Sequence, residues 1–154
     1  MVNFDSLSHE MRLAIFVLSL IPTFCTFGQK KVEWSFSYDA SSGVVHLNAH
    51  LAEGWHLYSQ HIANDIGPVP TAVHFDPNKD IKLIGKVDEP KPVQEYDENF
   101  EALLDYFEHE VNFTQRVSVK SSTILTGAVT YMACNSTQCL PPTDEYFSIE
   151  LKKD

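Results

Sequence analysis

The chain has 154 residues, of which 44% are apolar and 21% charged, and its 11 Lys and Arg face 21 Asp and Glu for a formal charge of −10. This composition excludes wholesale disorder and fibrous repeats, and the length indicates one domain. The acid excess leaves no basic patch for a phosphate backbone, so nucleic acid is excluded as a partner, and an anionic membrane surface repels the chain.

Residues 13–21 form an almost wholly apolar run, with Met11-Arg12 before it and Pro22-Thr-Phe-Cys-Thr-Phe-Gly28 after it. A basic start, a short apolar core and small residues near a cut site describe a secretory signal peptide over residues 1–28, cleaved after Gly28. A membrane anchor needs about 20 apolar residues, and Pro22 interrupts this run early, so an uncleaved anchor or a buried helix is the lesser reading. Bulky Phe24 argues against lipidation of Cys25. Asp5 and Glu10 are unusual in a signal start and leave Met11 as an alternative initiator to Met1. The expected mature domain is residues 29–154, exported and without a membrane span. It keeps Cys134 and Cys139 in a compartment where disulfides form.

In chain order, residues 32–38 and 44–51 alternate apolar and polar side chains, the period of a half-buried strand. Residues 55–58, 72–75 and 81–87 are shorter candidates. Residues 111–119, 124–133 and 146–151 complete the set. Turn signals separate them, among them Ser41-Ser-Gly43, Glu53-Gly54, Gly67-Pro68 and Asp76-Pro-Asn78. Short strands at this spacing predict an all-β fold of two packed antiparallel sheets. Residues 89–100 are acidic and proline-rich. Pro90 and Pro92 remove ladder donors, so this stretch reads as a long surface loop. Residues 99–110 read as a loop followed by an edge strand, despite a helix-like spacing of Phe100, Leu103, Leu104 and Phe107. Trp55, His56 and Tyr58 are expected to serve the core.

The chemistry concentrates in Tyr131-Met-Ala-Cys-Asn-Ser-Thr-Gln-Cys-Leu-Pro-Pro-Thr-Asp144. If residues 127–133 and 146–151 pair as neighbouring antiparallel strands, Cys134 and Cys139 flank the connection. Their Cα atoms then fall near the roughly 4.4–6.8 Å that a disulfide needs. Closing so short a loop supplies only about 2 kcal/mol in the chain-entropy model, a weak staple for a domain large enough to build its own core. Spacing alone leaves a reversible redox pair and a local staple on an equal footing. A zinc site is the weaker reading, because two thiolates need two further ligands. None of His46, His50, His56, His61, His74 and His109 stands at a ligand-like spacing from the cysteines. No metal and no cofactor is expected. The nucleophile elbow, the Gly-rich phosphate loop and Cys-x-x-Cys are all absent from the sequence.

Four segments together carry a resemblance: Tyr131-Met-Ala-Cys134, Cys139-Leu-Pro-Pro-Thr-Asp144, Gly54-Trp-His-Leu-Tyr-Ser59 and Glu89-Pro-Lys-Pro92. They resemble the amino-terminal domain of DsbD, the bacterial thiol:disulfide interchange protein of the cell envelope. The likeness spans nearly all of residues 30–153, and the block from Cys134 to Pro142 is its specific part. It implies an immunoglobulin-like antiparallel β-sandwich of about seven to nine strands, a periplasmic location and a redox-active Cys134–Cys139 pair. It also implies that the pair passes reducing equivalents to envelope partners, with Cys139 forming the mixed disulfide and Cys134 resolving it. Tyr96-Asp-Glu-Asn-Phe100 resembles the family's cap loop, which makes Phe100 the lid and Glu98 its acidic neighbour. On the residues themselves, Tyr131, Pro141 and Pro142 are expected to shape the hairpin, while the two prolines read equally as an edge blunted against aggregation. Family proteins continue into a transmembrane domain and a thioredoxin-like domain. For a sequence that stops at Asp154, the resemblance therefore implies thioredoxin-like redox proteins and a membrane electron donor as separate chains. The competing reading is an exported, non-catalytic β-sandwich that binds or scaffolds, with the disulfide as a local staple. No Lys or Arg lies between Lys120 and Lys152, while Asp144 and Glu145 stand close by. A thiolate is thus disfavoured, and exchange is expected mainly inside a partner complex.

Overall fold

Alternation of apolar and polar side chains becomes strand almost everywhere it occurs. A computed structural model describes residues 30–62 and 67–153; the predicted signal peptide lies outside the described residues. The strands are β1 (Val32–Asp39), β2 (Val44–Leu51), β3 (His56–Tyr58), β4 (Ala72–Phe75), β5 (Ile81–Asp88), β6 (Val93–Asp97), β7 (Ala102–Glu108), β8 (Glu110–Val119), β9 (Thr123–Tyr131), β10 (Ala133–Cys134) and β11 (Thr143–Leu151). Their hydrogen-bonded orders are β1-β2-β8-β5, β11-β9-β4 and β10-β3-β7-β6. Every pairing is antiparallel.

The first two sheets pack face to face. From β2, Val45, Leu47, Ala49 and Leu51 point into the shared core, and β8 adds Val111, Phe113 and Val117. The facing sheet supplies Leu125, Val129 and Tyr131 from β9, with Phe147, Ile149 and Leu151 from β11. Each large apolar side chain fully buried here contributes about 1.5–3 kcal/mol. Gln115 interrupts the apolar row on β8 and is buried. Its amide donates to the carbonyls of Ile84 at 3.0 Å and Arg116 at 2.8 Å, so no polar hydrogen is stranded. The Ile84 carbonyl sits at a bulge in β5, where Gly85 adopts a φ of 74° that a side chain would resist.

The third sheet is assembled from strands that change partners. β7 runs into β8 through His109, whose φ of 60° turns the chain from the third sheet into the first. The Leu51 amide donates to the His109 carbonyl at 2.8 Å across that bend. β9 gives way to β10 after Met132, again crossing between sheets. These crossings carry the functional residues out of the main core and into a smaller apolar cluster at one end.

Among the described residues, eleven strands stand where seven to nine were expected. Residues 124–133 divide into β9 and β10, and β6 lies inside the stretch expected to be a surface loop. The prolines precede β6, and β6 is the outer strand of its sheet, where one face of the ladder needs no donors. β7, expected as an edge strand, is covered by β6 and lies between it and β3.

Gly127, on the central strand of the second sheet, faces Phe75 and Phe147 in the two neighbouring registers. A Cβ there would fall onto the His74 carbonyl oxygen and the Phe147 ring. Gly127→Ala is expected to cost about 1–3 kcal/mol of stability, seen as a lower urea midpoint with an unchanged slope.

Candidate redox site at Cys134 and Cys139

The β9–β11 ladder ends at Tyr131 opposite Thr143. Beyond it, Ala133 and Cys134 pair with Leu57 and His56 of β3. Cys139 returns opposite Cys134 in an isolated antiparallel bridge. The amide of Asn135 donates to Gln138 O and that of Leu140 to Ala133 O, both at 2.9 Å. These bonds bracket the cysteines, which therefore occupy a non-hydrogen-bonded pair, the position where facing Cα atoms approach most closely. The Cα atoms are 4.0 Å apart and the sulfurs are bonded. No backbone hydrogen bond joins the two cysteines, so opening the disulfide breaks none. Asn135 Oδ1 accepts the amides of Thr137 and Gln138, each at 2.9 Å, and closes the turn. Cys134 is completely buried; Cys139 is half-buried, beside exposed residues 136–138.

The turn between β6 and β7, residues 98–101, reaches over this hairpin. Asp97 ends β6 and is buried. Its Oδ1 accepts the amides of Asn99 at 2.8 Å and Phe100 at 3.3 Å, which shapes the turn. Its Oδ2 accepts the Tyr58 hydroxyl at 2.5 Å. His56 Nε2 lies 3.0 Å from Tyr58 Oη and 3.4 Å from Asp97 Oδ2. With the Tyr58 proton committed to Asp97, Nε2–H donates to the phenol oxygen. The Phe100 ring stands edge-on to Tyr58, centroids 6.0 Å apart. Tyr58, Leu104, Tyr106 and Cys134 form the second apolar cluster, against which Phe100, Met132 and Cys139 pack. Asn99 Nδ2 donates to Asn135 O at 3.0 Å. A cleft of about 380 Å³ opens beside this turn, lined in part by His56, Tyr96, Glu98, Asn99 and Asn135.

Burial alone would raise the Asp97 carboxyl, but the bonds from Tyr58, Asn99 and Phe100, helped by His56, outweigh it and hold it below the ordinary carboxylate value. Burial lowers His56, more than Asp97 raises it, so the imidazole is neutral at neutral pH. Tyr58 is pushed well above the ordinary phenol value by burial and then by Asp97. Burial and the Glu95 carboxylate, which accepts the Tyr106 hydroxyl at 2.8 Å, do the same for Tyr106. Both phenols therefore remain donors.

Of the residues singled out from sequence, Cys134, Cys139 and Phe100 meet in one cluster. Glu98 is exposed on the turn between β6 and β7 and lines the cleft. Tyr131 lies in the main core, its ring 5.5 Å from that of Trp34. Pro141 is exposed and shares a second groove with Tyr131, Leu140 and Lys30; its carbonyl accepts the Thr143 hydroxyl at 3.1 Å. Trp55 belongs to the main core. Tyr58 belongs to the second apolar cluster, and its hydroxyl forms a polar floor with His56 and with Asp97, a residue that sequence reasoning passed over. The signal available was Asp97-Glu-Asn99, since Asp two residues before an amide is the usual start of a side-chain-capped turn. Lys30 is distant from the hairpin in sequence but close in space, and it is held by Glu145 at 3.0 Å.

A hairpin disulfide with one buried and one half-exposed cysteine, beside a cluster against which Phe100 packs, is the geometry on which the comparisons bear. The family described as "Thiol:disulfide interchange protein DsbD, N-terminal" matches residues 26–151. The chain belongs to this family. It is a thiol:disulfide interchange domain with an immunoglobulin-like fold, and the scaffold reading is not favoured. No curated protein matches the sequence. Among solved structures, the DsbD N-terminal domain of Neisseria meningitidis in the reduced form is 18% identical, with 77% of this chain and 86% of that chain covered and a TM-score of 0.56. The complex between the DsbD and PilB N-terminal domains of the same organism gives 17% identity, 77% and 82% coverage and a TM-score of 0.57. The N-terminal periplasmic domain of ScsB from Proteus mirabilis gives 21% identity, 76% and 44% coverage and a TM-score of 0.51. At these identities the likeness to solved structures is one of fold.

The depressed Asp97 carboxyl fixes a pH dependence. Its contribution is complete above the ordinary carboxyl value of about 3.9 and is lost as pH falls through the lower folded value. Asp97→Asn is expected to cost about 1–3 kcal/mol at pH 7. The gap to the wild type should narrow as pH drops below about 4, as followed by urea unfolding across that range.

Proposed function

We propose that this domain relays reducing equivalents in the cell envelope by opening and closing the Cys134–Cys139 disulfide. Its partners are thioredoxin-like redox proteins, and a membrane electron donor loads it. Export by a signal peptide over residues 1–28 and a periplasmic location belong to the same proposal. The observation that carries it is the unequal exposure of the pair: Cys139 half-buried at the surface of the hairpin, Cys134 wholly enclosed.

On this reading a partner thiolate attacks Cys139 Sγ. The S–S bond breaks, Cys134 leaves with the electron pair and takes a proton, and a mixed disulfide joins Cys139 to the partner. The partner's second thiol then attacks the partner sulfur of that bond and releases Cys139 as a thiol. The domain has gained two electrons and two protons, and the partner is oxidised. Delivery to an acceptor is the reverse: Cys139 attacks the acceptor's disulfide and Cys134 resolves the mixed species. Two cations line the groove along Leu140 and Pro141: Lys30 is paired with Glu145 at 3.0 Å, and Lys31 stands over the Trp55 ring at 5.7 Å. The free thiols thus gain little activation from their surroundings; in loading the partner supplies the reactive thiolate, and in delivery Cys139 reacts within the partner complex. A Neisseria DsbD N-terminal domain in complex with a PilB N-terminal domain supports a folded protein domain as partner. Pro141 and Tyr131 back the hairpin, and Phe100 with Glu98 forms the lid.

A glutathione or dithiothreitol titration with thiol trapping is expected to place the pair between about −180 and −270 mV, the range of exchange-active carriers. A value below about −300 mV marks a structural bridge and overturns the proposal. In trapping with a partner, Cys139→Ser should abolish the mixed disulfide and Cys134→Ser should accumulate it; survival of the mixed disulfide in Cys139→Ser reverses the two roles.

A further inference from the structure

We infer that Asn99 is the positioning residue that holds the lid against the cysteine hairpin, through its bond to the carbonyl of the residue that follows Cys134. The inference rests on the redox reading above and specifies how access to the pair is controlled.

The two amide bonds to Asp97 Oδ1 lie within the turn. They set its shape but not its place over the sulfurs. Two contacts reach outward from the turn. Phe100 meets the Tyr58 ring of floor strand β3 edge-on and packs against the cluster that also holds Cys134, an apolar contact without the direction of a hydrogen bond. Asn99 Nδ2 donates to Asn135 O at 3.0 Å. Among the described residues, this is the hydrogen bond that joins the lid turn to the hairpin.

The acceptor is well suited to this task. Asn135 donates its amide to Gln138 O, and its own Oδ1 holds the amides of Thr137 and Gln138. Its carbonyl is therefore a fixed point one residue from Cys134. The donor side is looser: Asn99 is exposed, and Glu101, two residues on, sits at a φ of 52°, in the left-handed region that resists side chains. A bond between a fixed carbonyl and an exposed amide on a strained turn is readily exchanged. A docking protein that offers its own donor to Asn135 O, or an acceptor to Asn99, replaces the bond and lifts the lid without net loss. A small oxidant or reductant that offers neither meets the lid closed. Asn99 thereby discriminates protein partners from small molecules.

The test is the rate at which a neutral water-soluble trialkylphosphine reduces the disulfide. The phosphine attacks one sulfur, the S–S bond breaks, and water completes the step to phosphine oxide and two thiols, so no attacking thiolate is needed. Asn99→Ala is expected to react about two- to tenfold faster than wild type, the share of the closed state that one such bond supports. Phe100→Ala should also be faster, and the double variant no faster than Phe100→Ala, because both side chains act through the same lid. Asn99→Asp keeps the shape and loses the donor. Its rate relative to wild type should be raised at neutral pH and return toward one as the carboxyl protonates near pH 4 and its O–H can donate. Urea midpoints confirm that each variant is folded. If both Asn99 variants match the wild type while Phe100→Ala is faster, the lid exists but Asn99 does not hold it, and the inference fails. If Phe100→Ala is unchanged as well, the lid reading itself falls.

Discussion

The site exists because the strand leading to Cys134 changes partners at Met132. Up to Tyr131 it is bound to β11 and belongs to the main core; from Ala133 it is bound to β3 and belongs to the smaller cluster. That single exchange lifts the connection between two long, well-paired strands out of the sandwich and lays it against a separate sheet. Had the ladder continued, the cysteines would have closed an ordinary hairpin in solvent. Instead Cys134 is enclosed by Tyr58, Leu104 and Tyr106, and Cys139 is left at the rim. The crossing at His109 makes this possible from the other side, because it supplies β7 as the middle strand on which β3 rests.

The smaller cluster also contains a polar group that most apolar cores avoid. Asp97 is buried, and among the described residues no Lys or Arg pairs with it. Its charge is distributed over one phenol and two backbone amides, with a neutral imidazole at the margin. Such an arrangement is tolerated because every lone pair that faces inward is met by a donor. It also gives one side chain two duties. Oδ2 fixes Tyr58 and so the floor, and Oδ1 fixes the turn that carries Phe100. The two halves of the site are thereby held to a common origin.

Much of this was legible in the sequence. The alternation of residues 45, 47, 49 and 51 against 46, 48 and 50 reads directly as β2, because one buried face imposes a period of two. The short spacing of Cys134 and Cys139 between two strand patterns foretold a local bridge. β6 was not legible, since Val93-Gln-Glu-Tyr-Asp97 shows no apolar period: as an outer strand it buries little besides Asp97. The role of Asp97 was hidden for a related reason. Sequence pattern registers apolar burial, whereas this carboxylate is buried by hydrogen bonds that come from β3 and from its own turn. His56 and Tyr58 were expected inside, and they are largely inside. What pattern could not convey is that their polar atoms converge on one partner thirty-nine and more residues away.

The placement of the disulfide has an evolutionary consequence. Oxidation and folding form a closed thermodynamic cycle: whatever stability the bond lends the fold is matched by how far the fold favours disulfide over dithiol. Because the bond closes so short a stretch of chain, the entropic part of that coupling is only about 2 kcal/mol. For a two-electron couple this corresponds to about 45 mV. The remainder of the potential is set by what touches the two sulfurs in the small cluster. The large core can therefore accumulate substitutions, and lose or gain stability, with little retuning of the voltage at which the domain exchanges electrons. Robustness of the scaffold and poise of the redox couple are separate traits in this protein, and selection can act on one without disturbing the other.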